Sequence, residues 1–321
     1  MNEEVLEMTT LHPDNQADGQ AGVRSTPLST VSRDHLGAWD FRRKLINRLF
    51  MTLLVFASLL AIVPLLSVFM YVLQQGLPAL DFSFFTHLPA PVGELGGGMG
   101  NAVAGTLILV GIASLLGIPI GIACGIYLAE YGNRPQGGKL AATLTFTIDL
   151  LASVPSIIIG LFAYAVLVVP MRRFSGYAGG AALAVIMIPT IARSTEELLK
   201  MVPTHIREAG LALGIPRWKV ILRIVLRGSM SGITTGVMLS VARAAGETAP
   251  LLFTSLNSRF WPTGLDQPIS SLPVQIYTYA ISPYEEWHRQ AWAGALLLVS
   301  FVFIFNLLTR LALGRPTRSR D

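Results

Sequence analysis

The sequence predicts an all-α membrane protein with six transmembrane helices. The chain has 321 residues, of which 52% are hydrophobic and only 13% are charged, and its mean hydropathy is +0.56. These values are typical of membrane proteins rather than of soluble domains. A helix needs about 20 apolar residues to cross a bilayer. Six runs approach that length: 49–73, 102–128, 146–169, about 177–194, about 232–253 and 291–313.

The first 40 residues are expected to form a disordered cytoplasmic tail. They are rich in Asp, Glu, Gln, Ser and Thr, and they lack the short apolar run of a signal peptide. The rest of the chain is expected to divide into a first transmembrane helix with an external loop, a core of five helices with a cytoplasmic loop, and a C-terminal tail. Their bounds are 41–99, 100–313 with the loop at 195–228, and 314–321.

The placement of Lys and Arg predicts that both termini are cytoplasmic. An even number of spans puts the termini on one side, and cytoplasmic segments carry the excess of basic residues. Basic residues cluster in 42–48, 134–139, 193–227 and 310–320. The predicted external segments carry only Arg172, Arg173, Arg259 and Arg289. The Arg172–Arg173 pair runs against the rule, but the overall asymmetry is strong.

The two long external loops, 80–101 and 254–290, differ in composition. The first is rich in Gly and Pro, and the second carries several aromatic residues. Aromatic side chains beside spans usually anchor the chain at the membrane interface. A docking surface for an external partner is the alternative interpretation. The aromatic residues are Trp261, Tyr277, Tyr279, Tyr284 and Trp287.

The connection between the fourth and fifth spans has its own predicted structure. It reads "VPTHIREAGLALGIPRWKVILRIVLRG" over 202–228. Thr204 can cap a short helix, Gly214 can end it, and Pro216 can open a second, basic helix. This pattern also fits a helix-turn-helix DNA reader. We disfavour nucleic acid as a ligand, because about 30 residues between two spans are too few for a separate core and the second helix has a broad apolar face.

The same segment resembles the EAA loop of permease subunits of ATP-binding cassette (ABC) importers. Glu208, Ala209 and Gly210 are followed by three residues, Gly214, nine residues and "IVL" at 224–226. The spacing is that of the family, although Gly210 replaces an alanine and an arginine replaces the final proline. The resemblance implies a type I importer permease fold, in which this loop is a coupling helix seated in a groove of a separate ATPase.

Further stretches resemble phosphate-specific transport permeases of the PstA type over residues 41–313. This resemblance implies an importer of inorganic phosphate. It contains this chain, a second permease of the PstC type, an ATPase dimer of the PstB type and an external phosphate-binding protein of the PstS type. The stretches are "GNAVAGTLIL" (100–109), "GIYLAEYG" (125–132), "VPSIIIGLFAY" (154–164), "RSTEELLKMVP" (193–203), "ARAAGETAPLLFTSL" (242–256) and "SLPVQIYTYAISPYEEWHRQAWAG" (271–294).

The chain is not expected to hydrolyse ATP or to hold a cofactor. Its nearest match to a phosphate-binding P-loop, "GNRPQGGKL" at 132–140, has one residue too many and lacks the Ser or Thr that holds magnesium. ATP and magnesium are therefore expected in the partner ATPase. The single cysteine, Cys124, lies in an apolar run and is interpreted as a packing residue. We predict no catalytic residue and no metal site.

The stretch "VARAAGETAPLLF" (241–253) places two charges in the fifth span. Arg243 and Glu247 would lie one helical turn apart and could pair, which lowers the cost of each in the membrane. A structural ion pair is one interpretation. In the other, Arg243 faces the translocation path and its planar fork of donors meets phosphate oxygens while Glu247 holds it in place. The sequence leaves both open.

Three other acidic residues near the ends of spans are expected to be structural. Asp149 lies near the predicted start of the third span, and Glu196 and Glu197 follow the fourth. Ser194 or Thr195 could cap a helix that places these two glutamates in its first turn.

Two other classes of membrane protein fit the sequence less well. A membrane-embedded enzyme would need reactive groups at depth, but all five histidines lie outside the spans. A secondary anion transporter should show an inverted repeat and would have no use for a coupling loop. A permease for a related oxyanion remains an alternative, because an external receptor would select the ion. Membrane lipid is the expected surrounding.

Overall fold

The computed structural model describes residues 33–94, 96–132 and 138–313. These residues are helical or irregular, with no strand among them. The predicted tail up to residue 32, the basic turn at 133–137 and the C-terminal tail lie outside the described residues. The helices are α1 Arg33–Gly76, α2 Phe82–Thr86, α3 Gly100–Tyr131, α4 Gly138–Ser153, α5 Ser156–Met171, α6 Gly176–Lys200, α7 Thr204–Ala212, α8 Arg217–Ala245, α9 Ala249–Thr254, α10 Leu272–Ala280 and α11 Glu285–Leu313.

Six membrane-crossing segments are compatible with the lengths and apolar character of these helices. Within the described ranges, α1, α3, α6, α8 and α11 each contain a window long and apolar enough to span, and the bent pair α4–α5 is the sixth candidate. This agrees with the predicted number of spans. Three of the predicted spans differ from the structure in their form, and each difference has a local cause.

The chain divides into two compact units whose boundary lies between Pro64 and Leu65. In the first unit, α1 begins at Arg33, so the last part of the predicted tail is helical. Its apolar side chains from Phe41 onward are exposed around the whole helix. A helix that is apolar on all sides is typical of a membrane span.

The second unit includes the predicted first external loop, which the sequence groups with the first span. Tyr71 packs edge to face on Trp292, with ring centroids 5.1 Å apart. Phe84 of α2 is buried in one cluster with Met99 and Tyr279. Aromatic contact and burial therefore join residues 65–99 to the later helices. Tyr279 is a core residue of this cluster and not an exposed aromatic side chain, and burial raises the pKa of its hydroxyl.

The centre of the second unit is the contact between α3 and α6. Gly117, Gly121 and Gly125 recur every fourth residue of α3 and face α6. A Cβ atom on Gly121 would lie only 2.8 Å from the Cβ of Ile191. Small residues at this spacing allow two membrane helices to approach closely. The close approach buries most of α6, including Ile191 at 0% exposure.

The predicted third span is not one helix. The chain bends by 108° between α4 and α5. Pro155 stands at the bend, and a proline disfavours helical geometry in the residue before it, here Val154. The carbonyl of Leu150 accepts from the amide of Val154 at 3.1 Å and from the hydroxyl of Ser153 at 2.9 Å, so the last turn of α4 stays hydrogen-bonded up to the break.

The predicted fourth span is longer than its apolar run. Helix α6 extends over 25 residues, with Pro189 inside it. Ser175 caps its N-terminus by accepting a hydrogen bond from the amide of Ala178, at 3.2 Å. The prediction that Ser194 or Thr195 caps a following helix is wrong, because both lie within α6.

The connection between the fourth and fifth spans forms a helix and a tight turn, as predicted, but the second helix is not separate from the fifth span. Gly214 adopts φ +74°, which glycine tolerates without strain, and α8 begins after Pro216. Helix α8 then continues over 29 residues into the fifth span and contains a π-helical segment at Ile221–Val225. The expected cap at Thr204 is also wrong, since Pro203 occupies the cap position and no side chain caps α7.

Candidate functional site

The predicted site residues lie at the two ends of α8. Glu208, Ala209, Gly210 and Gly214 lie before its N-terminus, and Arg243 lies in its last turn. Arg243 follows Arg217, the first residue of α8, by 26 positions. At about 1.5 Å per residue, the two ends are about 39 Å apart along the helix axis. One continuous helix therefore joins the coupling segment to the charged pair.

Arg243 and Glu247 form an ion pair, although not within one helix as the sequence predicted. The Arg243 Nε atom lies 3.6 Å from Glu247 Oε1. Helix α8 ends at Ala245, and Glu247 belongs to a short non-helical stretch before α9. Pro250 explains the break, because its ring clashes with the carbonyl four residues earlier and it has no N–H to donate.

The two charged side chains differ in exposure. The side chain of Arg243 is 63% exposed, whereas that of Glu247 is 16% exposed. The neighbours Ala242 and Ala244 are buried, so the arginine points away from the packed interior of this chain. Glu247 holds one side of the guanidinium and leaves several of its N–H donors without a partner in the described residues. The planar guanidinium can donate to two oxygens of an oxyanion, or it can meet a second protein.

Helix α5 packs on α9, the short helix that follows the non-helical stretch beside the pair. Gly160 approaches α9 so closely that a Cβ atom there would lie 2.6 Å from the Cα of Pro250. Both broken elements of the membrane region, α4–α5 and α8–α9, therefore meet at this contact. Irregular backbone at membrane depth is tolerated only where protein covers it or where it lines a water-filled cavity.

The coupling helix α7 presents one face outward and packs the other on α8. Glu208 and Ala209 are exposed, whereas Gly210 is buried. A Cβ atom on Gly210 would lie 2.9 Å from Val220 Cγ2. The close contact with Val220 explains why glycine stands where the family pattern has alanine. The exposed residues are available to a partner, and the buried glycine fixes the distance between α7 and α8.

Beneath α7 lies a charged cluster that the sequence analysis missed. The carboxylate of Glu130, at the end of α3, is 3% exposed and lies 2.8 Å from Arg207 of α7. Arg217 donates to the backbone carbonyl of Glu130 at 2.7 Å. The available signal was an isolated acidic residue ending an apolar run, in "LAEYG". The arginines were counted only as evidence of orientation.

A second cluster joins α4 to the end of α6. Arg193 contacts both Asp149 and Glu196, and Lys200 lies 2.6 Å from Glu196. The distance from Arg193 to Glu196 is 2.8 Å. Each acidic residue in this cluster has a basic partner, which supports the expected structural role of Asp149 and Glu196. Among the described residues, no group of three or more His, Cys, Asp and Glu could hold a metal ion.

The two arginines on the predicted external side, which run against the orientation rule, also have a local explanation. Arg173 donates to Asp266 at 3.0 Å and so ties the turn between α5 and α6 to the connection between α9 and α10. The preceding residue, Arg172, adopts φ +53° and ends α5. The pair therefore belongs to a turn whose charge is partly neutralised.

Comparisons with known proteins agree with this architecture. Residues 117–315 match the family of binding-protein-dependent transport system inner membrane components. The chain resembles two solved structures at the level of the fold. One is the MetNI methionine ABC transporter, with a TM-score of 0.56 and 21% identity over 68% of this chain and 95% of that one. The other is a bacterial ABC transporter involved in the import of the acidic polysaccharide alginate. Its TM-score is 0.55, and it is 15% identical over 86% of this chain and 100% of that one. The fold is that of type I ABC importer permeases.

Closer relatives extend over nearly the whole chain. A phosphate transport system permease protein PstA of Yersinia pestis is 43% identical over 91% of this chain and 97% of its own length. The protein of the same name in Haemophilus influenzae is 44% identical over 84% of this chain and 94% of its own length. A probable PstA of Methanocaldococcus jannaschii is 37% identical over 82% of this chain and 92% of its own length. The chain therefore belongs to the PstA family of phosphate transport system permeases, multi-pass membrane subunits of ABC transporters.

Proposed function

We propose that this chain is the permease subunit of an ATP-driven importer that translocates inorganic phosphate across the cytoplasmic membrane. The observation that carries the proposal is the similarity to PstA permeases over nearly the full length of both chains. A permease for a related oxyanion is the alternative, since an external receptor would choose among ions of similar shape. The chain itself performs no chemistry, and ATP with magnesium belongs to a partner ATPase.

Arg243 is proposed to meet the phosphate on its way through the bundle. A charge at mid-membrane depth costs about 2.5–3.5 kcal/mol. The attraction between two charges 3.6 Å apart is about 4–5 kcal/mol at an effective dielectric constant of about 20. The attraction within the pair is therefore smaller than the combined cost of placing two charges in the membrane. Further polar partners would stabilise the exposed guanidinium. Passing phosphate oxygens match its fork of donors.

Glu247 sets how tightly Arg243 holds the ion. A guanidinium without an acidic neighbour would trap a doubly charged phosphate, and transport requires release as well as capture. The carboxylate on one side of Arg243 competes for its donors and fixes its orientation. The pair is proposed to give a site of moderate strength on the path between this chain and a second permease of the PstC type.

Helix α8 is proposed to transmit the work of ATP hydrolysis to this site. An ATPase dimer of the PstB type would seat α7 through exposed Glu208 and Ala209, with Gly210 and Gly214 shaping the segment. Displacement of α7 would then move α8 as a rod and change the surroundings of Arg243. An external phosphate-binding protein of the PstS type would deliver the ion from the opposite side, where the chain bears few basic residues. Both termini would be cytoplasmic.

The experiment measures the initial rate of labelled phosphate uptake in cells that lack this chain. The cells are complemented with the wild type, with Arg243→Gln, or with Arg243→Gln and Glu247→Gln together. Arg289→Gln is a matched control. Like Arg243, Arg289 lies 3.6 Å from a glutamate, here Glu286 of α11, and its side chain is 57% exposed. Permease levels and co-purifying ATPase are measured in each strain.

We expect both Arg243 variants to assemble and to lose uptake, while Arg289→Gln transports normally. Restored transport in the double variant would mean that the pair only neutralises itself. A wild-type chain that supports uptake of another oxyanion but not of phosphate would refute the proposed substrate.

A further inference from the structure

We infer that Glu130 is a positioning residue that makes the coupling helix move together with the transmembrane helices instead of swinging by itself. The inference rests on the proposed function, since it needs an ATPase that displaces α7. It concerns Glu130 and Arg207, which lie away from the exposed face of α7 and are not among the matched positions of the EAA loop.

Helix α7 has non-helical chain on both sides. Residues 201–203 precede it and residues 213–216 follow it, with Gly214 in the left-handed region. Such connections can absorb large changes in backbone dihedral angles and so act as hinges. A short helix between two hinges could tilt under load without moving its neighbours, and the displacement would be lost.

Arg207, on the buried side of α7, restricts this independent tilting of the helix. Its Nε donates to Glu130 Oε1 at 2.8 Å. Its two terminal nitrogens donate to the backbone carbonyls of Val202 at 2.6 Å and Leu199 at 2.7 Å. A single side chain therefore ties α7 to the end of α3, to the last turn of α6 and to the connection between α6 and α7. Lysine cannot reproduce these three directions, because it has a point charge rather than a planar fork.

Arg217, the first residue of α8, joins that helix to Glu130 as well. Its guanidinium donates to the carbonyl of Glu130 at 2.7 Å and stacks over the ring of Tyr131, 5.1 Å from the centroid. Its Nη2 lies 3.9 Å from Glu130 Oε2. Glu130 of α3 thus contacts α7 and α8 directly and is linked to α6 through Arg207. A carboxylate that is 3% exposed and shared between two arginines has no easy alternative partner, so the four helix ends are held in one arrangement.

The burial of this cluster separates it from the surface that an ATPase would contact. Glu208 and Ala209 are exposed and can change partners, whereas Glu130 is buried and Arg207 is mostly buried. Removing the Glu130 charge should leave the contact surface intact and loosen what lies behind it. The expected defect is hydrolysis of ATP without a matching movement of phosphate.

The experiment uses the assembled transporter in lipid vesicles, with its external binding protein, and measures phosphate uptake and ATP hydrolysis on the same preparation. The variants are Glu130→Gln and Arg207→Lys. Glu196→Gln is the matched control, because Glu196 is also buried, also lies near the cytoplasmic end of a span and also contacts two basic residues, but does not contact α7. The amount of ATPase bound per permease is determined for each preparation.

We expect Glu130→Gln and Arg207→Lys to bind the ATPase and hydrolyse ATP. Their ratio of phosphate moved to ATP hydrolysed should fall by about tenfold, within the range that coupling residues typically contribute. The Glu196→Gln ratio should stay at the wild-type value.

An unchanged ratio in both test variants would overturn the inference, and so would a loss of assembly in both while Glu196→Gln assembles. Either result would leave phosphate import intact in the wild type. A wild-type complex that moves no phosphate would instead remove the proposed function on which the inference rests.

Discussion

Restoring the alanine of the family pattern at Gly210 should damage this protein. The new Cβ atom would lie 2.9 Å from Val220 Cγ2 and 3.2 Å from Cγ1, closer than the usual carbon contact of about 3.5–4.0 Å. Val220 is 2% exposed, and a β-branched residue in a helix has one strongly preferred rotamer. The valine therefore cannot rotate away, and α7 must shift from α8.

The net effect follows from two opposing contributions. Alanine in place of glycine inside a helix stabilises by about 1 kcal/mol. Overpacking a filled contact costs about 1–3 kcal/mol. Gly210→Ala should therefore lower the free energy of unfolding by up to about 2 kcal/mol. Because the entropy of unfolding grows with chain length, this corresponds in a chain longer than about 250 residues to a fall in apparent Tm of less than about 4–8 °C.

The assay is a double-mutant cycle on the purified transporter with Val220→Ala, followed by thermal unfolding. Val220→Ala alone should destabilise by about 1.6 kcal/mol or more, because it removes two buried methyl groups. The double variant should be at least about 1 kcal/mol more stable than the sum of the single effects, since the new methyl group fills vacated space. Gly228→Ala is the control, because a Cβ atom there meets nothing within 4 Å.

Two results would refute the reasoning about Gly210. One is a Gly210→Ala variant as stable as Gly228→Ala relative to wild type. The other is additivity of the Gly210 and Val220 changes to within about 0.5 kcal/mol.

Two further predictions concern the membrane region. Gly125→Val should destabilise the transporter by about 1–3 kcal/mol and increase its proteolysis, because a Cβ atom there would lie 2.6 Å from the carbonyl oxygen of Ala192, whereas Gly111→Val on the same helix meets open space and should not. Pro155→Ala should reduce the 108° bend between α4 and α5, because alanine restores a backbone N–H donor at the break. Spin labels at positions 150 and 162 should then move apart. An unchanged separation between the labels would show that packing alone maintains the bend.

Prolines in the membrane helices show how far local rules reach. Pro155 stands at the break of a predicted span, whereas Pro64, Pro119 and Pro189 lie inside uninterrupted helices. Exposure does not separate these cases, because Pro64 and Pro119 are exposed like Pro155, and only Pro189 is buried. Packing and local adjustments can keep a proline-containing membrane helix in one piece. A proline in the sequence therefore does not by itself predict that a span breaks.

The charged residues show a similar division. The apolar context of Arg243 and Glu247 was sufficient to single them out, and their separation predicted an ion pair. The helix break between them and the outward direction of Arg243 required the structure. Glu130 and Arg207 are separated by 77 positions, and no local pattern relates them.

The sequence by itself determined the class of protein, the number of spans, the turn at Gly214 and the position of the coupling segment. These properties depend on the transfer of apolar runs into lipid and on local backbone preferences, which act over a few residues or one span. Only the tertiary structure decided where spans bend, which face of α8 carries Arg243 and which helix ends meet at Glu130. Such features arise when helices distant in sequence pack together, because burial and pairing of charges depend on all the groups that surround them.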